Sequence, residues 1–314
     1  MEELIERLKN CNFCPHSCGV NRFKETGFCR APVLYRRGEL YLKINLFQPF
    51  FFEEPVITGE YGSGNIFFSH CNLRCVFCQN FDISQSGDGY YISLSRLKEI
   101  IIGLNAKGCQ FINLVTPTPY APLILSVIKA IKYQQKNIRF VYNTNGYETP
   151  EIIDELSGWI DIFLPDYKYS QANLAEIYSK ISNYPKTAER AIEKMVAATG
   201  RFVMDDMGLM RSGVIVRHLV LPGHLDSSKE ILTFLTRNFK DRILVSLMAQ
   251  YTPFALAKNY EMINRPLTLD EYELIKEYAI SLNAFDLFCQ DLDSADTFYI
   301  PEFYHPPAKK RSDL

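Results

Sequence analysis

Between residues 65 and 282 the sequence alternates short apolar runs with longer amphipathic stretches, and this alternation restricts the fold more than any other feature. The strand candidates are Asn65–Ser69, Gln110–Thr116, Ile138–Asn143, Trp159–Leu164, Val214–Leu221 and Ile243–Met248. Each is short and rich in β-branched or large apolar residues, as buried parallel strands require. Helical patterns fill the gaps. Leu94, Leu97, Ile100, Ile101 and Leu104 make one apolar face closed by Gly108, and Ile124, Val127, Ile128 and Ile131 make another. Thr149-Pro150 reads as an N-cap followed by proline at the first helical position, and Thr268 with Glu271 as a capping box. Such alternation implies a parallel sheet with right-handed crossovers. The expected fold is α/β, a partial (β/α)6 barrel, with a flat doubly wound sheet as the alternative. The expected divisions are a cysteine-rich, irregular segment over residues 1–60 with a hairpin at Arg37-Gly38, the barrel over 61–290, and a C-terminal extension over 291–314.

Composition excludes several classes. A chain of 314 residues with 47% hydrophobic and 22% charged content has ample material for a globular core. A formal net charge of −2 gives no reason to expect nucleic acid as a partner. The basic run Lys309-Lys310-Arg311 is short, follows Pro306-Pro307, and reads as a solvated, unstructured end. The apolar stretch at Phe50-Phe51-Phe52 is interrupted by Gln48, Pro49, Glu53, Glu54 and Pro55, so it supplies no membrane span. Residues 1–10 are charged and amphipathic rather than signal-like. Nine cysteines, seven of them grouped before residue 79, read as metal ligands in a reducing cytoplasm.

The first group to carry chemistry is Cys71-x₃-Cys75-x₂-Cys78, directly after the first strand candidate. Taken alone it could serve a zinc ion, an iron–sulfur cluster or a redox pair. Zinc usually takes four ligands in two separated pairs, and no fourth ligand follows at that spacing. His70 adjoins the motif and reads as a loop residue. Three thiolates on a four-iron cluster would leave one iron open, and chemistry in α/β barrels sits at the C-terminal strand ends, where this loop falls.

The motif, with aromatic Phe77 before its last cysteine, resembles the signature of the radical S-adenosylmethionine (SAM) superfamily. The wider string Cys75-Val-Phe-Cys78-Gln-Asn80 resembles the branch containing the pyruvate formate-lyase activating enzymes. Cys14-Pro-x-x-Cys18-Gly-Val-Asn-Arg22, Thr26-Gly-Phe-Cys29-Arg30, Asn113-Leu-Val-Thr-Pro-Thr118 and Val216-Arg-His-Leu-Val-Leu-Pro-Gly223 resemble an uncharacterised subgroup of it. The resemblance implies a partial barrel of the radical SAM type. It also implies a 4Fe–4S cluster on Cys71, Cys75 and Cys78 whose open iron chelates SAM. Reductive cleavage would then give a 5′-deoxyadenosyl radical that abstracts hydrogen from substrate. A flavodoxin or ferredoxin would supply the electron, and a glycyl-radical enzyme would be the partner.

The resemblance also nominates residues at later strand ends. With Phe77 and Asn80, the cosubstrate candidates are Thr116, Thr118, Asn145, Lys168, Arg217 and Gln250. Thr116-Pro-Thr-Pro119 stands where the superfamily usually has Gly-Gly-Glu-Pro, so both glycines and the glutamate are missing. Asn143-Thr-Asn-Gly146 departs from the Asp-Thr-Asn-Gly of activating enzymes and lacks the charge that would hold a monovalent cation. Asn145 is expected at the ribose and Lys168, from Asp166-Tyr-Lys168, at the methionine carboxylate. Arg217 lies in an apolar strand and needs an anionic partner, either SAM or a structural carboxylate. Strand alternation sends His218 to the opposite face. Gln250 and Tyr251 follow the sixth strand, where activating enzymes carry histidine. Asp205 and Asp206 read as a surface turn near Gly208.

The second group, Cys11-x₂-Cys14-x₃-Cys18-x₁₀-Cys29, offers four thiols in nineteen residues, a closed shell for structural zinc or an auxiliary cluster. Cys109 and Cys289 are isolated and read as buried core thiols. The rival readings are radical modification of another peptide or small molecule, and a cluster-bearing electron-transfer or zinc-stabilised binding protein without turnover. Polar groups at successive strand ends argue against the last.

Overall fold

Among the described residues the alternation is realised as an eleven-stranded sheet flanked by helices. The structure is a computed structural model that describes residues 1–134, 137–283, 286–290 and 301–305. Helix α1 (Glu2–Leu8) precedes the cysteine-bearing loop. Strands β1 (Leu34–Arg36) and β2 (Glu39–Phe50) form the expected hairpin, with φ of 52° at Arg37 and 79° at Gly38. Positive φ at both turn residues is the type I′ geometry that matches strand twist. The first sixty residues are therefore less irregular than their composition implied. Twelve of them form β2, which is built into the sheet beside β3 (Ser63–Phe68). Between β2 and β3 lies the short helix α2 (Pro55–Thr58).

Beyond β3, strand β4 (Tyr90–Ser93) returns to the other edge of β2, and α3 (Leu94–Ala106) follows. Then come β5 (Phe111–Val115), α4 (Ala121–Lys132), β6 (Arg139–Thr144), α5 (Pro150–Leu156) and β7 (Ile162–Pro165). Helices α6 (Ala172–Ser179) and α7 (Tyr184–Thr199) lead to a hairpin of β8 (Val203–Met204) and β9 (Met210–Leu219). The described chain closes with α8 (Leu225–Phe239), β10 (Leu244–Met248), α9 (Leu269–Leu282) and β11 (Asp286–Cys289). The parallel order is β3-β5-β6-β7-β9-β10-β11, which follows the sequence without reversal. A doubly wound sheet reverses its order at a switch point, so that alternative does not hold. Strand β11 adds a parallel strand to the six expected. Cys289, at its end, is exposed rather than a core thiol, whereas Cys109 is fully buried.

The two sheet faces bury different sets. Ile112, Leu114, Phe140, Tyr142, Phe163, Val214, Val216, Val245 and Leu247 join the helices in the main core. Their alternates Phe111, Val141, Ile162, Leu164, Ile215 and Leu244 form a second core on the inner face with Val56 and Ile57 of α2. Period-two alternation explains the division. No helix among the described residues is long and apolar enough to cross a membrane. The run Lys309-Lys310-Arg311 lies outside the described residues.

The helix starts behave as read. The Thr149 side chain accepts from the Ile152 amide, and Thr268 and Glu271 form a reciprocal capping box. Thr268→Ala should therefore destabilise the fold by about 1 kcal/mol. The expected readout is a lower urea midpoint at unchanged slope; an unmoved midpoint would show that the cap contributes nothing.

Candidate functional site

Following the inner face toward the strand ends, the alternation that buries Val141, Leu164 and Ile215 next delivers Asn143, Asp166 and Arg217. The Arg217 guanidinium donates from Nε to Asp166 Oδ1 at 2.9 Å and from Nη2 to Asn143 Oδ1 at 2.6 Å. Its Nη1 lies 3.8 Å from Glu53 Oε2. Lys168 Nζ reaches the other Asp166 oxygen at 2.7 Å. His218 faces away, as alternation requires, and is held by the Tyr167 carbonyl and the Ser228 hydroxyl, both at 2.8 Å. Burial opposes the Asp166 charge, but Lys168 and then Arg217 outweigh it and keep the carboxyl below its usual range. Burial likewise opposes the Lys168 charge, and Asp166 more than restores it. Glu53, from the segment before α2, is raised to about 7 by burial and by Glu54, against the pull of Arg217. Its position was not legible locally, because only the folded segment brings it to β9. On the same face Asn65 Nδ2 donates to Glu53 at 2.7 Å, while Asn65 Oδ1 and Asn113 Oδ1 are buried without a partner.

The three thiols stand beside this layer. The amides of Arg74 and Val76 donate to the carbonyls of Ser179 and Tyr178, at 3.2 and 2.8 Å. The thiol loop thereby satisfies the last carbonyls of α6, which have no partner within the helix. Asn145 Nδ2 donates to Cys71 Sγ at 3.2 Å, and Cys75 and Cys78 lie 3.0 and 3.2 Å from the hydroxyls of Ser179 and Ser84. Burial and the neighbouring Cys75 raise Cys71 to about 12, and the same two causes raise Cys78 to about 11. Cys75 is raised chiefly by burial, with Lys168 acting against it. Cys71 and Cys75 are buried and Cys78 partly so, and a negative charge on Cys75 opposes ionisation of both of its neighbours. Phe77 is buried edge-on against Tyr251 and Tyr169, with centroids 5.8 and 6.5 Å away. His70 is buried with both ring nitrogens unpaired, and burial lowers its pKa to about 4.

The remaining candidates divide. Asn145 is brought to the thiols, with Nδ2 also donating to Asn72 Oδ1 at 2.7 Å and Oδ1 accepting from the Tyr147 amide. The adjacent Gly146 has φ of 81°, and a Cβ there would collide with the Asp166 carbonyl, so this turn requires glycine. Thr116 follows β5 at φ of 59°, an uncommon conformation for a β-branched residue, and its amide donates to the Asn143 carbonyl. Thr118 is fully buried and donates to Glu148 Oε1 at 2.5 Å, as does Thr144. Glu148, which the sequence did not single out, is raised to about 7 by burial against those hydroxyls. Asn80 sits half-buried beside Cys78, its carbonyl accepting from the Ser84 amide. Gln250 follows β10, and its carbonyl accepts from Gln79 Nε2 at 3.3 Å.

The second cysteine group packs against the first. Burial raises the thiols of Cys14 and Cys29, each also opposed by the anion of Cys11. The Phe28 amide donates to Cys18 Sγ at 3.4 Å. His16 stacks on Phe28 at 3.9 Å and lies 2.9 Å from the Asn72 carbonyl. Arg74 donates to the Phe28 carbonyl, and buried Arg22 to the carbonyls of Ala31 and Pro119. Among the described residues, no three His, Cys, Asp or Glu side chains converge closely enough to hold a single metal ion.

A singly wound parallel sheet with thiols and paired charges gathered at its strand ends defines an α/β protein with its polar groups concentrated at one end of the sheet. The radical SAM superfamily model matches residues 65–235, and an uncharacterized protein of Methanocaldococcus jannaschii is 36% identical over 283 residues, covering 88% of this chain and 76% of that one. The chain belongs to the radical SAM superfamily. Streptococcus suis SuiB bound to S-adenosylmethionine is similar in fold, with a TM-score of 0.52 at 14% identity over 72% of this chain and 50% of that chain. SuiB bound to its precursor peptide SuiA gives 0.52 at 15%, covering 72% and 48%. The chain thus spans about half the length of SuiB. Superfamily membership implies a 4Fe–4S cluster and cleavage of SAM there.

Burial lowers the His218 pKa to about 4. The unfolded chain therefore binds a proton that the folded chain refuses between about pH 6.5 and 4. The stability contributed by neutral His218 is complete above pH 6.5 and falls with pH through that window, by about 3 kcal/mol in all. Urea unfolding at pH 7 and 5 should show a smaller loss in His218→Gln than in wild type. Equal losses would assign the effect elsewhere.

Proposed function

We propose that Cys71, Cys75 and Cys78 hold the 4Fe–4S cluster, and that the inner-face charges beside them hold SAM for reductive cleavage. The observation that carries this reading is that Asn145, whose Nδ2 bonds Cys71 Sγ, shares the Tyr184 hydroxyl with the Asp166 carbonyl and the Lys168 amide, which joins the thiol loop to the charge layer. When bound, the cluster supplies one electron at low potential to the sulfonium of SAM. Lys168, kept charged by Asp166, offers a point charge to the cosubstrate's carboxylate. Arg217 is oriented by Asp166 and Asn143, with Glu53 at its remaining edge, and adds positive charge to the same layer. Phe77, Tyr169 and Tyr251 close one side against water. The unpaired oxygens of Asn65 and Asn113 favour a ligand on the inner face, since buried acceptors seldom stay unmatched. In this reading the sheet curls as a partial barrel with residues 1–60 closing it from below through Glu53 and α2.

The substrate we propose is a polypeptide, with the backbone glycine of a glycyl-radical enzyme as first candidate, and a flavodoxin or ferredoxin in the cytoplasm as electron donor. Another peptide or a small molecule is the second reading. It is favoured by Asn143, which bonds Arg217 in place of the charge that would hold a cation.

Cys11, Cys14, Cys18 and Cys29 form, in the same proposal, a second metal site of structural zinc or an auxiliary cluster. About four irons and one zinc per chain would identify zinc, and about eight irons and no zinc a cluster. About four irons with no zinc would remove the second site.

Anaerobically reconstituted and reduced protein should convert SAM to 5′-deoxyadenosine, followed by chromatography. Cys75→Ala should abolish that product while leaving the circular dichroism of the fold unchanged. No product from wild type with a verified, reduced cluster would falsify the cleavage reading, and wild-type turnover by Cys75→Ala would sink the ligand assignment. A glycyl radical signal in a candidate partner tests the activating role.

A further inference from the structure

Each of the three thiols of the Cys71–Cys78 loop meets a side-chain donor from a different part of the chain, and Cys71 Sγ also accepts from the Leu73 amide at 3.4 Å and lies 4.0 Å from Asn72 Oδ1. Asn145, after β6, donates Nδ2 to Cys71 Sγ at 3.2 Å. Ser179, the last residue of α6, places its hydroxyl 3.0 Å from Cys75 Sγ. Ser84, in a π-helical turn over Asp82–Ser86, places its hydroxyl 3.2 Å from Cys78 Sγ. A thiolate bound to iron has no proton, so in each pair the hydroxyl or amide must be the donor. The Ser179 oxygen in turn lies 2.9 Å from the Tyr169 hydroxyl. With Ser179 donating to sulfur, Tyr169 donates to Ser179, and the two bonds polarise one another. Tyr169 and Ser179 are fully buried and Ser84 is 4% exposed, which shields the hydroxyls from water, while Cys78 itself is partly exposed.

We propose that Asn145, Ser84 and Ser179, the last backed by Tyr169, set the reduction potential of the cluster. This rests on the assignment of Cys71, Cys75 and Cys78 as its ligands. An added electron places more negative charge on the thiolate sulfurs. Burial disfavours that charge and drives the potential down, whereas a hydrogen bond to each sulfur stabilises the reduced form and drives it up. A side-chain donor at each sulfur, joined at Cys71 by the Leu73 amide, holds the potential at a level a protein reductant can reach. Ser84, Ser179 and Tyr169 are positioning residues that act through the sulfurs, and Asn145 adds this role to the ribose contact expected of it.

The test is a potentiometric titration of anaerobically reconstituted protein without SAM, followed by electron paramagnetic resonance of the reduced cluster. Wild type, Ser179→Ala, Ser84→Ala and Tyr169→Phe are compared. Each serine variant should be about tenfold harder to reduce, which for a one-electron couple is about 59 mV more negative. Tyr169→Phe leaves every sulfur contact in place and should shift in the same direction by less. Wild-type spin counts with an unmoved or less negative midpoint in all three variants would overturn the proposal while leaving the ligand assignment intact. Should a serine variant fail to hold its cluster, the shift in Tyr169→Phe decides: more negative supports the proposal, unmoved overturns it. A wild-type protein with no four-iron signal would remove the ligand assignment and this inference together.

Discussion

A parallel strand covered on both faces must send each successive side chain into a different layer, and this constraint organises the whole molecule. On the helix side, Ile112, Phe140, Phe163 and Val216 complete the main core. On the inner side, Phe111, Val141, Ile162 and Ile215 fill the deeper part. Two residues further along, the same register brings Asn143 of β6 and Arg217 of β9 together across the end of the intervening strand β7. A one-residue slip in β9 would exchange Arg217 for His218. It would bury the guanidinium among helices and leave the imidazole facing Asp166. The charge layer and the core therefore depend on one register.

That layer is balanced rather than merely polar. Asp166 bonds both Lys168 and Arg217, and Glu53 sits at the far edge of the guanidinium. Buried charges survive only when paired, and removing one partner of such a pair typically costs about 3–5 kcal/mol. The pairing gives Lys168 a stable positive charge beside Cys75 without leaving it unsatisfied. The thiol loop is similarly tied, through Arg74 and Val76, to the end of α6. The helix end and the loop each supply what the other lacks, which places the three thiols at the edge of the charge layer.

The sequence was most readable where chemistry is local. The Thr268 box, the Thr149 cap, the Arg37-Gly38 turn and six strand positions all depend on a few consecutive residues, and all are present. The alternation of Arg217 and His218 was legible for the same reason. Less was visible where partners are distant in the chain. Glu53 lay within a stretch that resembled loop, yet it reaches Arg217 from 164 positions away. Ser179 has no motif of its own and meets Cys75 only because α6 ends against the thiol loop. Thr118, read as a cosubstrate contact, has its hydroxyl on Glu148. Cys289 resembled a core thiol but ends an exposed strand.

The amino-acid order by itself determined the superfamily, the α/β alternation and the two cysteine groups, because spacing and periodicity are properties of neighbours along the chain. Which donor serves each sulfur, which carboxylate pairs with Arg217, and how the second cysteine loop meets the first at Asn72 were decided only by the tertiary structure. The physical reason is range. Hydrogen bonds and ion pairs act over a few ångströms, and the residues that make these are brought within that distance only when the strands, helices and loops have packed.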